Sequence, residues 1–348
     1  MKNWLTLSLF LPLGVSAQDL VSQEPQDRTV LLEEYTAINC GNCPAGHVVG
    51  YGLLAAHPGT AVAVELHGGG LAEPSGGQPE FRTTWSTALW SHYGVNSQPR
   101  GAINRIPVNG QTVISTTAWT NAVNGALALP SPVNIGISST FDAGPRTLTV
   151  NVELYYTQDG LGGNDRIAVL LKESHLIGYQ QDYQNGAQAD YDHKNVLRAY
   201  LTDLWGDEVA TTTQGTLVSR TYTFTVPEGW DIANCEVVAF VSEYQGEIYQ
   251  ARAVGADGGF TTAIADYSAK ADLLPYPVPA SDHIFIPLSV NEAGAIIRLT
   301  DSAGRTVLQT TRTSGLRALD VATVESGSYL VSIISGSGNR AARVLVQH

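Results

Sequence analysis

Two cysteines separated by Gly41 and Asn42 restrict the fold of this chain more than any other feature of its sequence. Residues 29–36, just before Cys40, predict a β-strand, and residues 41–56 predict an α-helix. The pair therefore stands where a helix begins, beside unpaired backbone N–H groups that favour a thiolate. Because the thiolate is the reactive form, this position predicts Cys40 as an attacking thiol and Cys43 as the thiol that resolves a mixed disulfide.

The region around this pair predicts an α/β layer domain over residues 28–130. Its apolar runs and amphipathic stretches follow the order β-α-β-α-β-β-α. The predicted strands cover residues 29–36, 61–66, 101–104 and 111–114, and the predicted helices cover residues 41–56, 82–92 and 117–127. Residues 68–77 are glycine-rich but lack the Gly-Lys-Ser/Thr ending of a phosphate loop, so they predict a flexible insertion.

Residues 131–268 have a different pattern, in which apolar and polar residues alternate between turns rich in Gly, Pro, Asn and Asp. This alternation predicts an antiparallel β-sandwich. A polar excursion over residues 177–205 interrupts the pattern, and its last part, residues 194–204, predicts a short helix. Cys235 lies in an apolar strand and predicts a buried free thiol.

Residues 275–348 predict a small C-terminal β-sandwich, which follows a linker over residues 269–279. Three prolines in this linker disfavour both helix and central strand. The predicted strands of the small sandwich cover residues 284–288, 295–300, 305–310, 327–334 and 340–346.

Residues 1–17 predict a cleaved secretory signal peptide. Lys2 provides the positive start, residues 5–15 are apolar, and residues 15–17 are suited to cleavage. The apolar stretch falls short of the ~20 residues that span a bilayer, which disfavours the alternative of a membrane anchor. No other segment has ~18 consecutive apolar residues, so the mature chain is predicted to have no transmembrane segment. Export places the cysteine pair in an oxidising compartment.

The charge balance disfavours nucleic acid as a partner, so we predict none. The chain of 348 residues has 32 acidic and 19 basic side chains, with a net charge of −13, whereas binding to phosphate backbones needs clustered positive charge. Three cysteines are too few for a disulfide scaffold. The spacing of Cys40, Cys43, His47 and distant His67 is the one zinc-like pattern, but no second ligand pair completes it. We therefore predict no metal and no cofactor.

Residues 33–44 resemble the active-site strand and turn of thioredoxin-fold proteins. Glu34 stands six residues before Cys40, where that family has a buried acid near the second cysteine, and Pro99 stands where it has a cis-proline beside the disulfide. The resemblance implies a redox-active Cys40–Cys43 pair with Glu34 and Pro99 as site residues, and protein thiols or disulfides as partners. The chain departs from the family in having Glu for Asp, Gly-Asn between the cysteines and Asn39 in place of an aromatic residue.

A wider resemblance covers residues 28–255. Residues 33–47, 192–198 and 237–241 resemble the outer-membrane-protein-28-related family of bacteria, in which a thioredoxin-like domain precedes a β-sandwich. That family implies association with the outer membrane.

The end of the chain resembles the type A sorting domain of the type IX secretion system. The resemblance rests on residues 275–282, 301–305 and 325–331. It implies that the secretion machinery recognises residues 275–348 and that the protein reaches the cell surface or the medium.

A second interpretation stays open for each part of the site. The cysteine pair is then an inert structural disulfide in a non-enzymatic binding or structural protein of the outer membrane. Glu34 is then a solvated strand end, Pro99 a trans loop proline and His47 an exposed helix residue without a role. Four further residues form a second candidate cluster if the excursion over residues 177–205 brings them together, and otherwise they are separate polar residues on the surface. They are Glu173, His175, Asp192 and His193.

Overall fold

The computed structural model describes residues 20–258, 260–261, 280–286, 296–300, 306–311, 317–335 and 338–348. The predicted signal peptide, residues 1–17, and the predicted linker, residues 269–279, lie outside the described residues. So do residues 301–305 of the sorting-domain resemblance.

The described residues from 20 to 130 form four strands and three α-helices. They are β1 (Val30–Thr36), α1 (Cys43–Ala56), β2 (Ala61–His67), α2 (Thr84–His92), β3 (Arg100–Ile103), β4 (Val113–Ser115) and α3 (Thr116–Leu127). The fully buried β1 lies parallel to β2 and antiparallel to β3, which pairs antiparallel with β4. α1 and α3 pack on one face of these strands through Leu53 and Trp119.

The next part of the described chain is almost entirely β-structure. Its strands are β5 (Val133–Asp142), β6 (Thr147–Tyr156), β7 (Asp165–Glu173), β8 (Leu176–Gln180), β9 (Gln188–His193), β10 (Val196–Tyr200), β11 (Asp207–Glu208), β12 (Leu217–Thr225), β13 (Cys235–Glu243), β14 (Ile248–Gly255) and β15 (Phe260–Thr261). The sheet β12-β6-β5-β15 packs face to face on β7, β13 and β14. The alternating burial along β6 follows from this packing, because every second side chain enters the core of the sandwich.

One sheet contains strands from both halves of this part of the chain, namely residues 20–130 and the β-rich half that follows them. Its strand order is β14-β13-β7-β10-β2-β1-β3-β4, and β11 lies beside β7. β10 joins the halves because it pairs antiparallel with β7 and parallel with β2, where the Glu65 N–H donates to the Asn195 carbonyl oxygen at 2.7 Å. The boundary predicted at residue 130 thus falls between segments that share one hydrogen-bonded sheet.

The helix predicted over residues 194–204 is wrong, because Val196–Tyr200 is the strand β10. Val196, Leu197 and Ala199 are buried, since β10 has neighbours on both edges and on both faces. A central strand covered in this way is a short continuous apolar run, which periodicity alone does not distinguish from a buried helix.

The described C-terminal residues form six strands with their own core. They are β16 (His283–Ile286), β17 (Ile296–Thr300), β18 (Thr306–Thr311), β19 (Arg317–Asp320), β20 (Gly327–Ser335) and β21 (Gly338–Val346). β18, β17, β20 and β21 form one sheet, and β16 pairs with β19. The five predicted strands are confirmed here, while β19 lies where no strand is predicted. Ile284, Leu299 and Val331 are fully buried between the two sheets.

Two further sequence expectations concern single features of the described residues. Cys235 is confirmed as a buried free thiol on β13, and burial raises the pKa of this thiol to about 12. No helix of the described chain is long and apolar enough to cross a membrane.

Candidate functional site

Cys40 and Cys43 form a disulfide bond at the beginning of α1. Cys43 is the first residue of this helix, and Pro44 follows it in the first turn, where a missing N–H costs no helical hydrogen bond. The disulfide is enclosed: Cys40 is 3% exposed and Cys43 is fully buried.

Pro99 lies beside the disulfide. The Gln98–Pro99 peptide bond is cis, and the Gln98 carbonyl oxygen lies 3.8 Å from the Cys40 sulfur. Pro99 also packs against α1, where a Cβ atom added to Gly46 would stand 2.6 Å from the Pro99 Cβ. Gly46 therefore lets the helix and the proline loop approach each other.

Glu34 points from β1 into the space beneath α1 and is 1% exposed. A Cβ atom on Gly46 would lie 2.9 Å from its Oε1, and one on Gly50 would lie 3.0 Å from its Oε2. Glu34 Oε1 has no hydrogen-bond partner. Burial, with a smaller contribution from Glu65, raises the pKa of Glu34 well above its ordinary value and favours the protonated carboxyl. The alternative of a solvated strand end is therefore wrong.

His47 belongs to the same buried layer, so the alternative of an exposed helix residue is also wrong. Its Nε2 lies 2.7 Å from Thr36 Oγ1, and its Nδ1 lies 2.8 Å from the Tyr191 hydroxyl. Nε2 also lies 4.0 Å from Glu34 Oε1 and 3.9 Å from Glu65 Oε2. Burial lowers the pKa of His47 to about 3, which keeps the ring neutral between the two acids.

His67 and His193 are also buried, and His67 Nε2 lies 4.0 Å from Glu65 Oε2. Their ring centres are 5.8 Å apart, and Phe81 packs against both rings. Burial lowers the pKa of His67 well below its ordinary value and that of His193 to about 4. Both rings are therefore neutral near pH 7.

The zinc alternative requires free cysteine sulfurs, which the disulfide removes. Within the described ranges, no group of three His, Cys, Asp or Glu side chains is arranged to hold a metal ion.

A hairpin from the β-rich half covers the disulfide. This covering hairpin comprises β8, β9 and the turn between them, residues 176–193. The Gln181 N–H donates to the Ile38 carbonyl oxygen at 2.7 Å, and the Tyr183 N–H donates to the Gly41 carbonyl oxygen at 2.8 Å. The Tyr183 ring lies so close to Gly41 that a Cβ atom there would be 2.3 Å from it.

Two further contacts close the site. Gln180 is fully buried, and its Nε2 donates to the Cys40 carbonyl oxygen at 3.1 Å. On the other side, Ala72 of the glycine-rich insertion packs in one apolar cluster with both cysteines. The Asn39 N–H holds this insertion by donating to the Leu71 carbonyl oxygen at 2.9 Å. A partner protein therefore reaches the disulfide only if the covering hairpin or the insertion moves.

We expect Gln180→Ala to accelerate reduction of the disulfide by a small phosphine. The substitution removes the amide that bonds to the turn around Cys40, and loss of one buried hydrogen bond shifts an opening equilibrium by about 1.4 kcal/mol, or roughly tenfold. Gln188→Ala is the matched control, because its Nε2 bonds to Asp182 within the hairpin. The rate follows from timed alkylation of the released thiols. If Gln180→Ala is reduced no faster than the wild type and Gln188→Ala, the hairpin does not limit access to the disulfide.

The second predicted cluster does not form one site. His175 pairs with Asp192 at 3.2 Å on the exposed edge of the covering hairpin. Glu173 pairs with Arg198 at 3.1 Å, and His193 faces His67 instead.

Sequence reasoning missed several residues of the buried layer and its cover, namely Thr36, Tyr51, Glu65, Gln180, Tyr183 and Tyr191. One signal was present: Glu65 is the single charged residue of the apolar run 61–66. A charge placed inside a buried strand indicates a paired or functional acid.

Two family models match the chain. Residues 86–256 match the family described as outer membrane protein Omp28, and residues 275–347 match the secretion system C-terminal sorting domain. These matches define an exported protein of the cell surface or outer membrane. More particularly, residues 86–256 are Omp28-like, and the chain carries a type IX secretion sorting tail over residues 275–347. The Omp28 match includes Pro99 and begins after the cysteine pair.

Solved structures resemble the chain at low sequence identity. HBP35 of Porphyromonas gingivalis is 19% identical, with 92% of this chain and 99% of that chain covered and a TM-score of 0.54. A protein from Agrobacterium tumefaciens is 14% identical, with coverages of 66% and 95% and a TM-score of 0.42. A domain of the outer membrane lipoprotein Omp28 from Porphyromonas gingivalis is 21% identical, with coverages of 36% and 89% and a TM-score of 0.26. No curated protein matches the chain. The likeness to HBP35 is one of fold.

Proposed function

We propose that this exported protein exchanges disulfides with thiols of extracytoplasmic proteins through Cys40 and Cys43. The site belongs to a thioredoxin-like domain over residues 28–130. The order β1-α1-β2-α2-β3-β4-α3 supports this domain, as does the pairing of β1 with parallel β2 and antiparallel β3. The cis-Pro99 beside the disulfide supports the same assignment.

The buried carboxyl of Glu34 carries the proposal. A polar oxygen inside a protein without a partner is costly, so its presence calls for an explanation. Here the carboxyl lies against Gly46, three residues after Cys43 in the same helix. A protonated acid in this place has a proton available for the sulfur that leaves when the disulfide opens.

The exchange consists of two displacements. A thiolate of the partner protein attacks the Cys40 sulfur, the Cys40–Cys43 bond breaks, and the Cys43 sulfur leaves with the electron pair and takes the proton of Glu34. A second partner thiolate then attacks the partner sulfur of the mixed disulfide. Cys40 leaves as a thiolate at the positive end of α1. The partner is oxidised to a disulfide and the cysteine pair is reduced.

A structural disulfide in a non-enzymatic surface protein is the second candidate function. The low exposure of Cys40, 3%, favours it, because a nucleophile does not reach a covered sulfur.

The reduction potential of the pair distinguishes the two functions. We expect a potential above about −300 mV in glutathione buffers, because structural disulfides typically lie below that value. Cys40→Ser and Cys43→Ser are each expected to abolish oxidation of a model dithiol peptide, whereas Cys235→Ser leaves it unchanged. A pair that glutathione does not reduce, in a protein that does not oxidise the peptide, would establish the structural role.

A further inference from the structure

Glu65 is a second acid beside Glu34, and the exchange steps give it no role. It is the register partner of Glu34 on the neighbouring parallel strand, where strands lie about 4.8 Å apart. Both side chains are 1% exposed, and His47 Nε2 lies within 4.0 Å of an oxygen of each. Two carboxyl groups are thus buried side by side beneath α1.

The two acids differ in what surrounds them. Glu65 Oε1 accepts a hydrogen bond from the Tyr51 hydroxyl at 2.9 Å, whereas Glu34 Oε1 has no donor. The positive charges of Lys172 and Lys194 also favour the ionised form of Glu65. A single negative charge is therefore better stabilised on Glu65 than on Glu34.

The other groups around the pair do not offset a second negative charge. The titratable residues that face it are His47 and Tyr51 on α1, His67 on β2, Lys172 on β7, Tyr191 and His193 on β9, and Lys194 after β9. The three histidines are neutral at pH 7 because burial lowers their pKa values. Burial raises the pKa of Glu65 to about 8 and that of Glu34 well above its ordinary value, so the pair keeps at least one proton near neutral pH.

We propose that Glu65 is a positioning residue: it takes the negative charge of the carboxyl pair and thereby keeps the shared proton on Glu34, next to the disulfide. Tyr51 directs this choice through its hydrogen bond to Glu65. The inference rests on the proposed function, because it explains how the acid that protonates Cys43 stays protonated at the pH at which thiolates attack.

The test follows the Glu34 carboxyl directly, by ¹³C NMR titration of the full chain, with the signal assigned from its loss in Glu34→Gln. Glu65→Gln removes the neighbouring charge, so Glu34 is expected to ionise at lower pH. Tyr51→Phe removes the bond that favours charge on Glu65, so part of the proton moves to Glu65 and Glu34 again ionises at lower pH. Tyr179→Phe is the matched control, because its hydroxyl bonds to Gln181.

A kinetic measurement complements the titration. The rate of disulfide reduction by dithiothreitol is recorded from pH 5 to 9, and above neutral pH we expect a roughly tenfold loss in Glu65→Gln and in Tyr51→Phe, because less of Glu34 remains protonated. A Glu34 titration that is the same in the wild type and in Tyr51→Phe would overturn the inference, even if Glu65→Gln fails to fold. The titration does not require exchange with a protein partner, so its result is independent of the proposed function.

Discussion

A fragment of residues 20–130 is expected not to fold by itself, although it contains all of β1–β4 and α1–α3. In the full chain β10 occupies the outer edge of β2, and Leu197 and Phe240 share one buried core with Leu31 and Leu66. Removing the β-rich half exposes this core and leaves β2 without its partner β10. A fragment with such an exposed strand edge is both unstable and prone to aggregation. We expect weak near-UV circular dichroism and no cooperative thermal transition.

The matched control is a fragment of residues 20–258, which retains the whole sheet. We expect it to melt cooperatively, because every strand of the long sheet keeps its neighbours. Cooperative melting of residues 20–130 would instead establish residue 130 as a true domain boundary.

Arg105→Met is expected to lower the free energy of unfolding by about 3–5 kcal/mol. Arg105 forms a bidentate ion pair with Glu33, at 2.8 and 2.6 Å, and both side chains are almost fully buried. The guanidinium also lies 5.4 Å from the Trp205 ring and 5.3 Å from the Phe240 ring. Removing one partner leaves a carboxylate buried without compensation, which is the costly case.

Urea unfolding measures this loss, and the chain provides its own control. Arg82 pairs with Glu80 at 2.7 Å, but these side chains are 33% and 47% exposed, so Arg82→Met is expected to leave the free energy of unfolding almost unchanged. The double variant Glu33→Gln/Arg105→Met is expected to regain part of the loss because it removes the unpaired charge. Equal effects of the two single Arg variants would contradict the role assigned to burial.

The sequence predicted those elements whose pattern is local. The alternation of β6 is sufficient to predict a strand buried on one face, and the apolar run of β2 is sufficient to predict a strand buried on both faces. The local pattern of β10 predicts a helix, whereas its strand conformation depends on pairing with β2 and β7, which are distant in sequence. The continuity of the sheet through β10 was not predictable for the same reason.

The candidate site divides in a similar way. Cys40 and Glu34 belong to one strand and the turn that follows it, so their spacing predicts that they lie close together. Gln180 and Tyr183 reach the disulfide from about 140 residues further along the chain, and nothing in their local sequence indicates a partner. The sequence indicates Glu65 as a candidate, because it is the one charge within an apolar run. Nothing in the sequence indicates that Tyr51 bonds to it.

Gly46 and Gly50 leave the space beneath α1 that Glu34 occupies. Each glycine inside a helix costs about 0.8–1.0 kcal/mol relative to alanine, so the two together lower the intrinsic stability of the helix by roughly 2 kcal/mol. Alanine at either position would strengthen an isolated helix and yet meet Pro99 or the Glu34 carboxyl in the folded chain. The helix that begins at the disulfide is therefore weak by composition, and its conformation depends on the sheet against which it packs.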